Sequence, residues 1–246
     1  MSKLKHFLLD IFFPRHCLGC NILLSDVSGN YICEACLRGI KFTDAFTCAF
    51  CQSQVVNGTV CLYCRKDHFL DRLLVVTSYD NPLIKKITKN MKYRFVESLA
   101  EQVGYTMAKY IRHRLARGLD LKGAAIVPVP LHPKRLRWRG FNHAEVMAKT
   151  AGEELGIKVI PNLLKRVYGN KPQADMPDRV SRLGNIKTGA FTCHVPEAAE
   201  NQRIILIDDL STTGSTLDTC AYALKDAGAS EVMGLVFARG KINPGT

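Results

Sequence analysis

Four Cys-x-x-Cys pairs lie within the first 64 residues, and nothing else in the chain narrows its folding options so far. Cys17/Cys20 is followed after twelve residues by Cys33/Cys36, and Cys48/Cys51 after nine residues by Cys61/Cys64. A Cys-x-x-Cys turn offers two thiolates to one metal, and two such turns complete a tetrahedral four-sulfur shell. Four thiolates suit zinc best among the common divalent ions, and iron also fits this ligand set. Buried thiol pairs or a disulfide framework are the alternatives. An expected cytosolic setting argues against disulfides, and fourfold repetition of one spacing argues against chance. Sequential pairing, with one zinc per set, is the simpler assignment; an interleaved arrangement uses the same ligands. His16 and His68 flank the block and could replace a thiolate, but with eight thiolates already present they read as surface side chains. So short a segment cannot bury a sufficient core alone, so metal binding would supply its folding energy. Such a shell has no open coordination position, so the zinc is expected to be structural. A double zinc-ribbon module is expected over residues 1–70, and a second domain over 71–246.

Beyond Asp71 the pattern changes. Leu73–Tyr79 is a short apolar run with β-branched residues and predicts a strand. Leu83–Leu115 has helical spacing of apolar residues, and Gly104 weakens the case for one unbroken helix. Strands are then predicted at Ala124–Val129, Lys158–Ile160, Arg203–Ile207 and Glu231–Phe237. Helices are predicted at Ala144–Leu155 and from about Gly214 to Ala227. Strand–helix alternation implies an α/β fold with a parallel sheet flanked by helices. The polar stretch from Arg166 to Lys187 is a long loop, of the kind that is usually functional or disordered. The net charge of +12 favours polyanionic partners, whether nucleic acid, membrane surface or phosphorylated metabolites. No segment approaches the roughly 18 apolar residues of a membrane span. Asp10 interrupts the apolar run after Lys3 and Lys5, so no signal peptide is expected and the location is read as cytoplasmic.

The most specific chemistry lies at residues 203–216. Ile204–Ile207 is a buried parallel strand by composition, and it runs directly into Asp208-Asp209-Leu210-Ser211-Thr212-Thr213-Gly214-Ser215-Thr216. Two carboxylates at a strand's C-terminal end sit where open α/β sheets bind ligands. A hydroxyl- and glycine-rich turn opening a helix presents amides that hold a phosphate. Carboxylates repel phosphate but accept hydrogen bonds from vicinal sugar hydroxyls. A ribose 5-phosphate carries both groups, one sugar length apart. A capped helix with an acidic first turn is the plainer alternative. The strand plus the complete string makes it a poor competitor. No nucleotide P-loop or Rossmann glycine motif is present.

Residues 205–216 resemble the phosphoribosyl-pyrophosphate (PRPP) signature of type I phosphoribosyltransferases. The wider chain resembles the ComF (competence protein F, ComFC) proteins associated with DNA uptake. The resemblance rests on Val127-Pro128-Val129-Pro130, Lys134-Arg135-Leu136-Arg137, Arg139-Gly140-Phe141-Asn142, Lys92-Tyr93-Arg94, Gln173, Arg182-x-x-Asn185 before Ala190-Phe191, and the cysteine ribbon. His143 departs from it, since Gln is more often expected there. The resemblance implies a type I phosphoribosyltransferase fold, with Asp208 and Asp209 on the ribose hydroxyls and Thr212–Thr216 around the 5-phosphate. Pyrophosphate would lie at Pro128, Lys134, Arg135, Arg137, Arg139 and Asn142, where guanidinium groups bind a dense anion bidentately. Mg²⁺ would accompany PRPP. Gln173, Arg182 and Asn185 would act from a closing loop.

A second basic run extends from Lys85 to Arg117, most of it a solvated face. Its excess charge would favour a nucleic-acid backbone through counterion release. Trp138, Phe141, Tyr93 and Phe95 lie among these charges, where aromatic rings can stack bases; core packing is the plainer reading of Phe141 and Phe95. Cys193 and Cys220 read as small buried hydrophobes.

Three functions compete. One is a PRPP-binding accessory protein in uptake or handling of single-stranded DNA, alongside other competence proteins. Another is a working phosphoribosyltransferase with an unidentified base or amine as acceptor. The last is a zinc-stabilised nucleic-acid adaptor with a vestigial pocket, which the intact loop disfavours. Glutamine-dependent amidotransfer is not expected: it uses an N-terminal nucleophilic cysteine, whereas this chain starts Met1-Ser2 and Cys17 belongs to a metal knuckle.

Overall fold

The computed structural model describes residues 15–24, 29–93, 96–167 and 190–240. Its centre is a four-stranded parallel sheet of β3 (Arg72–Ser78), β4 (Ala124–Pro128), β7 (Arg203–Ser211) and β8 (Glu231–Arg239), in the spatial order β3-β8-β7-β4. Two short antiparallel pairs accompany it: β1 (Arg15–His16) with β2 (Leu23–Leu24), and β5 (Leu164–Arg166) with β6 (Phe191–Cys193). The helices are α1 (Glu34–Arg38), α2 (Pro82–Tyr93), α3 (Glu97–Leu115), α4 (Pro133–Arg139), α5 (His143–Leu155) and α6 (Ser215–Asp226). The expected α/β architecture, a parallel sheet flanked by helices with a cysteine module before it, is the one observed. Among the described residues no helix is long and apolar enough to cross a membrane.

Side chains alternate across a strand, so a strand buried on both faces feeds two cores. Ile205 and Ile207 of β7 pack with Met91, Leu99, Met107, Met147 and Ala151 from α2, α3 and α5. Ile204 and Leu206 pack on the opposite face with Leu217, Cys220, Ala221 and Leu224 of α6. Both cores take in the cysteine segments: Cys17, Ile32 and Ile40 join the first, and Cys48, Ala49, Val60 and Cys64 the second. The Gln102 carboxamide on α3 accepts from the amides of Tyr31 and Ile32 and donates to the Ile32 carbonyl at 2.8 Å.

The helical run predicted over 83–115 is two helices, with Val96 capping the second. Gly104 lies inside α3 rather than at the break. A Cβ there would stand 2.8 Å from the Met147 carbonyl oxygen and 2.9 Å from Thr150 Cβ, so its bare backbone lets α3 and α5 approach. The strand predicted at 158–160 reduces to a single bridge from Val159 to Ile126 of β4. β7 continues four residues past its predicted end, because Leu210 and Ser211 pair with Ala238 and Arg239 of β8.

Candidate functional site

The extension of β7 carries the acid pair on a strand with a paired neighbour instead of on a free loop. Asp209 is 4% exposed and lies between two donors. The Lys92 ammonium, from the last turn of α2, stands 2.8 Å from its Oδ2, and His143 Nε2, from the first turn of α5, stands 3.4 Å from its Oδ1. The Arg139 guanidinium donates to His143 Nδ1 at 3.3 Å. A guanidinium accepts nothing, so Nδ1 is the accepting nitrogen and Nε2 carries the hydrogen toward Asp209. The two carboxyls divide sharply. Burial, reinforced by the charge of Asp209, pushes Asp208 up to about 8. Burial alone would raise Asp209 as well, but the His143 and Lys92 contacts outweigh it and hold that carboxyl well below the usual range. Asp208 Oδ1 accepts the Asp209 amide at 2.9 Å.

β7 ends in a buried Ser211 whose Oγ has no partner among the described residues, and the turn follows. Gly214, at φ +80°, caps α6 in the left-handed region that favours glycine. Thr213 Oγ1 donates to Ser215 Oγ at 3.1 Å and receives the Ser215 amide at 3.4 Å. Among the described residues no acceptor is found for the amides of Thr212, Thr213 and Gly214. Free amides at the positive end of α6 are what an oxyanion requires.

A cavity of about 500 Å³ opens over the acid pair, lined by Asp208, Asp209 and Thr216 together with Arg135, Arg139 and Asn142. Of the sequence-derived anion residues these last three line it, while Pro128, Lys134 and Arg137 do not. Asn142 is also committed to structure: its Oδ1 accepts the Ala144 amide to cap α5, and its Nδ2 donates to the Val129 carbonyl at 3.1 Å. Arg139 is buried, with its Nε unpartnered among the described residues. Gln173, Arg182 and Asn185 lie outside the described residues. Sequence reasoning missed site roles for Lys92, His143 and Arg166, all of which line the cavity. The one available signal was the placement of Lys92 and His143 within motifs already noted for other reasons.

The thiols gather as two sequential sets, Cys17/Cys20/Cys33/Cys36 and Cys48/Cys51/Cys61/Cys64, with each set's sulfurs within 4.8 Å of one another. Cys20 and Cys33 sulfurs are 3.6 Å apart, as are those of Cys51 and Cys61. A tetrahedron with Zn–S near 2.3 Å has edges of about 3.8 Å, so both sets fit zinc. The knuckle amides of Cys36 and Cys64 donate to the Cys33 and Cys61 sulfurs at 3.4 and 3.5 Å. Burial, then crowding by neighbouring thiols, pushes Cys36 up to about 12 and Cys64 higher still, a crowding that a divalent cation relieves. These eight sulfurs would hold structural zinc, with no open position for chemistry.

Residues 8–65 match the family model of the double zinc ribbon domain. Across 90% of this chain and 95% of the other, the sequence is 28% identical to competence protein F of Haemophilus influenzae. It is 28% identical to the DNA utilization protein YhgH of Salmonella typhimurium over 89% and 94% of the two chains. Competence protein ComFC of Streptococcus pneumoniae is 33% identical over 43% of this chain and 44% of that one. The chain is thus similar along most of its length to competence protein F. Among solved structures, a glutamine PRPP amidotransferase from B. subtilis, complexed with ADP and GMP, superposes at a TM-score of 0.38 with 18% identity. It covers 57% of this chain and 26% of that one. A likeness of that size adds nothing to the fold already described.

The basic run from Lys85 to Arg117 divides into bound and solvent-facing cations. Arg114 is buried, stacked over Phe46 and Tyr110, and donates to the Thr43 and Asp44 carbonyls. Arg112 pairs with Glu154, Arg117 with Asp44, and Lys92 with Asp209. Lys85 and Lys89 are exposed. Arg94 and Phe95 lie outside the described residues. Tyr93 and Trp138 are 59% and 55% exposed, meet edge to face at 6.2 Å, and both line the cavity. His68, read from sequence as a surface side chain, is instead half-buried, stacked on Phe50 and paired with Asp218. Cys220 is fully buried as expected, and Cys193 is half-buried.

Proposed function

We propose that this protein binds PRPP, or a related ribose 5-phosphate ester, with Mg²⁺, and serves DNA uptake or single-stranded DNA handling as a phosphoribosyltransferase-like protein. The observation that carries the reading is the acid pair Asp208–Asp209 near the end of β7, just before a turn whose Thr212, Thr213 and Gly214 amides have no acceptor among the described residues. Vicinal ribose hydroxyls donate to the carboxylates, and the 5-phosphate takes the amides and hydroxyls of Ser211–Thr216. Arg135 and Arg139, with Asn142 beside them, receive the pyrophosphate. Lys134 and Arg137 are exposed on α4 and do not line the cavity, which suits them to a longer polyanion. Mg²⁺ would supply neutralising charge on the pyrophosphate oxygens. The names of the homologues, competence protein F and DNA utilization protein, support the DNA role. Calorimetry with PRPP and Mg²⁺ tests the reading. Saturable heat that disappears in Asp208→Asn/Asp209→Asn supports it, and no heat with the zinc-loaded protein overturns it.

The exposed Tyr93–Trp138 pair on the same cavity favours a second reading, a working transferase with a base or amine acceptor. The acceptor nitrogen would donate its lone pair to C1 of the ribose, the C1–O bond would break toward pyrophosphate, which leaves with the bonding electrons, and the acceptor's N–H proton would pass to the departing pyrophosphate or to solvent. Charge developing on the ribose needs no protein nucleophile, so catalysis would come from positioning and water exclusion. Pyrophosphate release across a panel of bases and amines separates the two: release with any acceptor favours the transferase, and silence with intact PRPP binding favours the accessory protein.

A further inference from the structure

The second cysteine set touches the phosphate turn directly, which its spacing alone did not foreshadow. The knuckle Cys48-Ala49-Phe50-Cys51 forms the wall behind Gly214. A Cβ at Gly214 would lie 3.1 Å from the Ala49 carbonyl oxygen and 3.2 Å from Phe50 Cε1. Phe50 is backed by the His68 ring, stacked at 3.4 Å between centroids with 4° between planes. His68 Nδ1 is in turn 2.7 Å from Oδ2 of the buried Asp218, which sits in the first turn of α6. The other Asp218 oxygen accepts the Phe69 and Leu70 amides at 2.7 and 3.0 Å, and its own amide donates to the Gly214 carbonyl at 2.9 Å. On the far side, Arg239 donates to Thr47 Oγ1 and to the Cys48 and Ala49 carbonyls, and its strand partner is Ser211. The turn is therefore walled by the Cys48–Cys51 knuckle and tied to groups that contact that knuckle, His68 and Arg239. The first cysteine set lies elsewhere, against α2 and α3: Gly19 faces Leu83, and Gln102 holds Tyr31 and Ile32.

We infer that the second four-cysteine site is the positioning element of the phosphate turn. Metal held by Cys48, Cys51, Cys61 and Cys64 fixes the Ala49–Phe50 wall, so metal occupancy there and anion binding at residues 212–216 are coupled, with Phe50 and His68 as the positioning residues. Coupling is reciprocal: an anion bound on the turn retains the second metal more tightly, and loss of that metal loosens the turn. The first site carries no such coupling. The ligand half of this inference rests on the PRPP reading above; the structural half does not.

The test uses the full-length zinc-loaded chain and reads amide hydrogen exchange over residues 212–218 beside PRPP–Mg²⁺ affinity and zinc content. Phe50→Ala is expected to keep its zinc, exchange faster across 212–218, and bind PRPP about tenfold more weakly, within the usual span of coupling energies. Phe50→Tyr restores both, which a merely bulky wall residue of any shape would not require. Cys61→Ser, emptying the second site, produces the same two effects, whereas Cys33→Ser leaves exchange over 212–218 unchanged. If Cys61→Ser fails to fold, Phe50→Ala and His68→Ala carry the test alone. Unchanged exchange in Phe50→Ala, or equal acceleration on emptying either site, overturns the inference. Wild-type protein that binds no PRPP removes the ligand reading, and exchange over the turn still decides the coupling.

Discussion

Lys92 on α2 and Asp209 on β7 are joined by a 2.8 Å ion pair, and both residues line the cavity. The pair links the helical layer packed on one sheet face to the strand that carries the acids. It also explains why adjacent carboxyls differ. Asp209 takes the available cation and the His143 donor, and Asp208 is left with burial and a neighbouring negative charge.

Removing the cation leaves a carboxylate buried with one weak donor. Lys92→Met is expected to destabilise the zinc-loaded protein by about 2 kcal/mol, less than the 3–5 kcal/mol of a fully buried broken pair because the lysine is partly exposed. Lys92→Arg keeps the charge and should recover more than half of that loss. Urea unfolding of the three proteins measures it; a Lys92→Met protein as stable as wild type shows that Asp209 is satisfied by other means.

The raised Asp208 gives a pH dependence with a definite sign. The folded chain retains a proton that the unfolded chain loses near 3.8, so this stabilising contribution is complete below that value and is lost as pH rises through about 8. Asp209 acts oppositely, stabilising above the ordinary carboxylate range and losing its contribution as pH falls. Sugar hydroxyls donate to an ionised carboxylate, so PRPP binding competes with the Asp208 proton. Affinity should rise about tenfold from pH 6 to 7 and level off above pH 8, following the fraction ionised. Asp208→Asn should flatten the profile; a wild-type profile equally flat over this range assigns the sugar contact elsewhere.

How far the sequence reached can be judged residue by residue. Ile204–Ile207 was legible because a continuous apolar run reads as a strand buried on both faces, and the Cys-x-x-Cys spacing was legible because it is local. The break between α2 and α3 was not, since apolar spacing continues across it, and Gly104 misled because its role is an approach between α3 and α5. The functional site was half legible. Asp208–Thr216 is one contiguous string, whereas Lys92, Arg139 and His143 reach it from three helices. His68 illustrates the limit: its partner Asp218 lies 150 residues along the chain, and no local pattern announces such a pairing.

Two thiol tetrads predict two zinc ions per chain. Cobalt substitution should give the absorption of tetrahedral four-thiolate sites, and Cys20→Ser should halve the metal content. Cys17 and Cys64 belong to the two cores on opposite sheet faces, so metal loss should weaken the whole fold. A loss of about 4 kcal/mol corresponds to a fall in melting temperature of roughly 10 °C. Calorimetric melting before and after chelation measures it; an unchanged transition in metal-free protein shows that the cores hold without zinc.

Nucleic-acid binding, if it uses the cavity mouth, should depend on Trp138 and Arg135 in different ways. Trp138 is exposed and meets Tyr93 edge to face, a surface on which a base can stack. Trp138→Ala should weaken binding of a short single strand by about 1–3 kcal/mol at every salt concentration, since stacking does not release counterions. Arg135→Ala should instead reduce the slope of log affinity against log salt by roughly one contact's share, about 0.7 for single strands. Fluorescence anisotropy of a labelled oligonucleotide across a salt series separates the two effects. Loss of slope in both variants would mean that Trp138 acts only by holding α4 in place. Loss in neither would move the strand away from this mouth, toward the exposed lysines of α2.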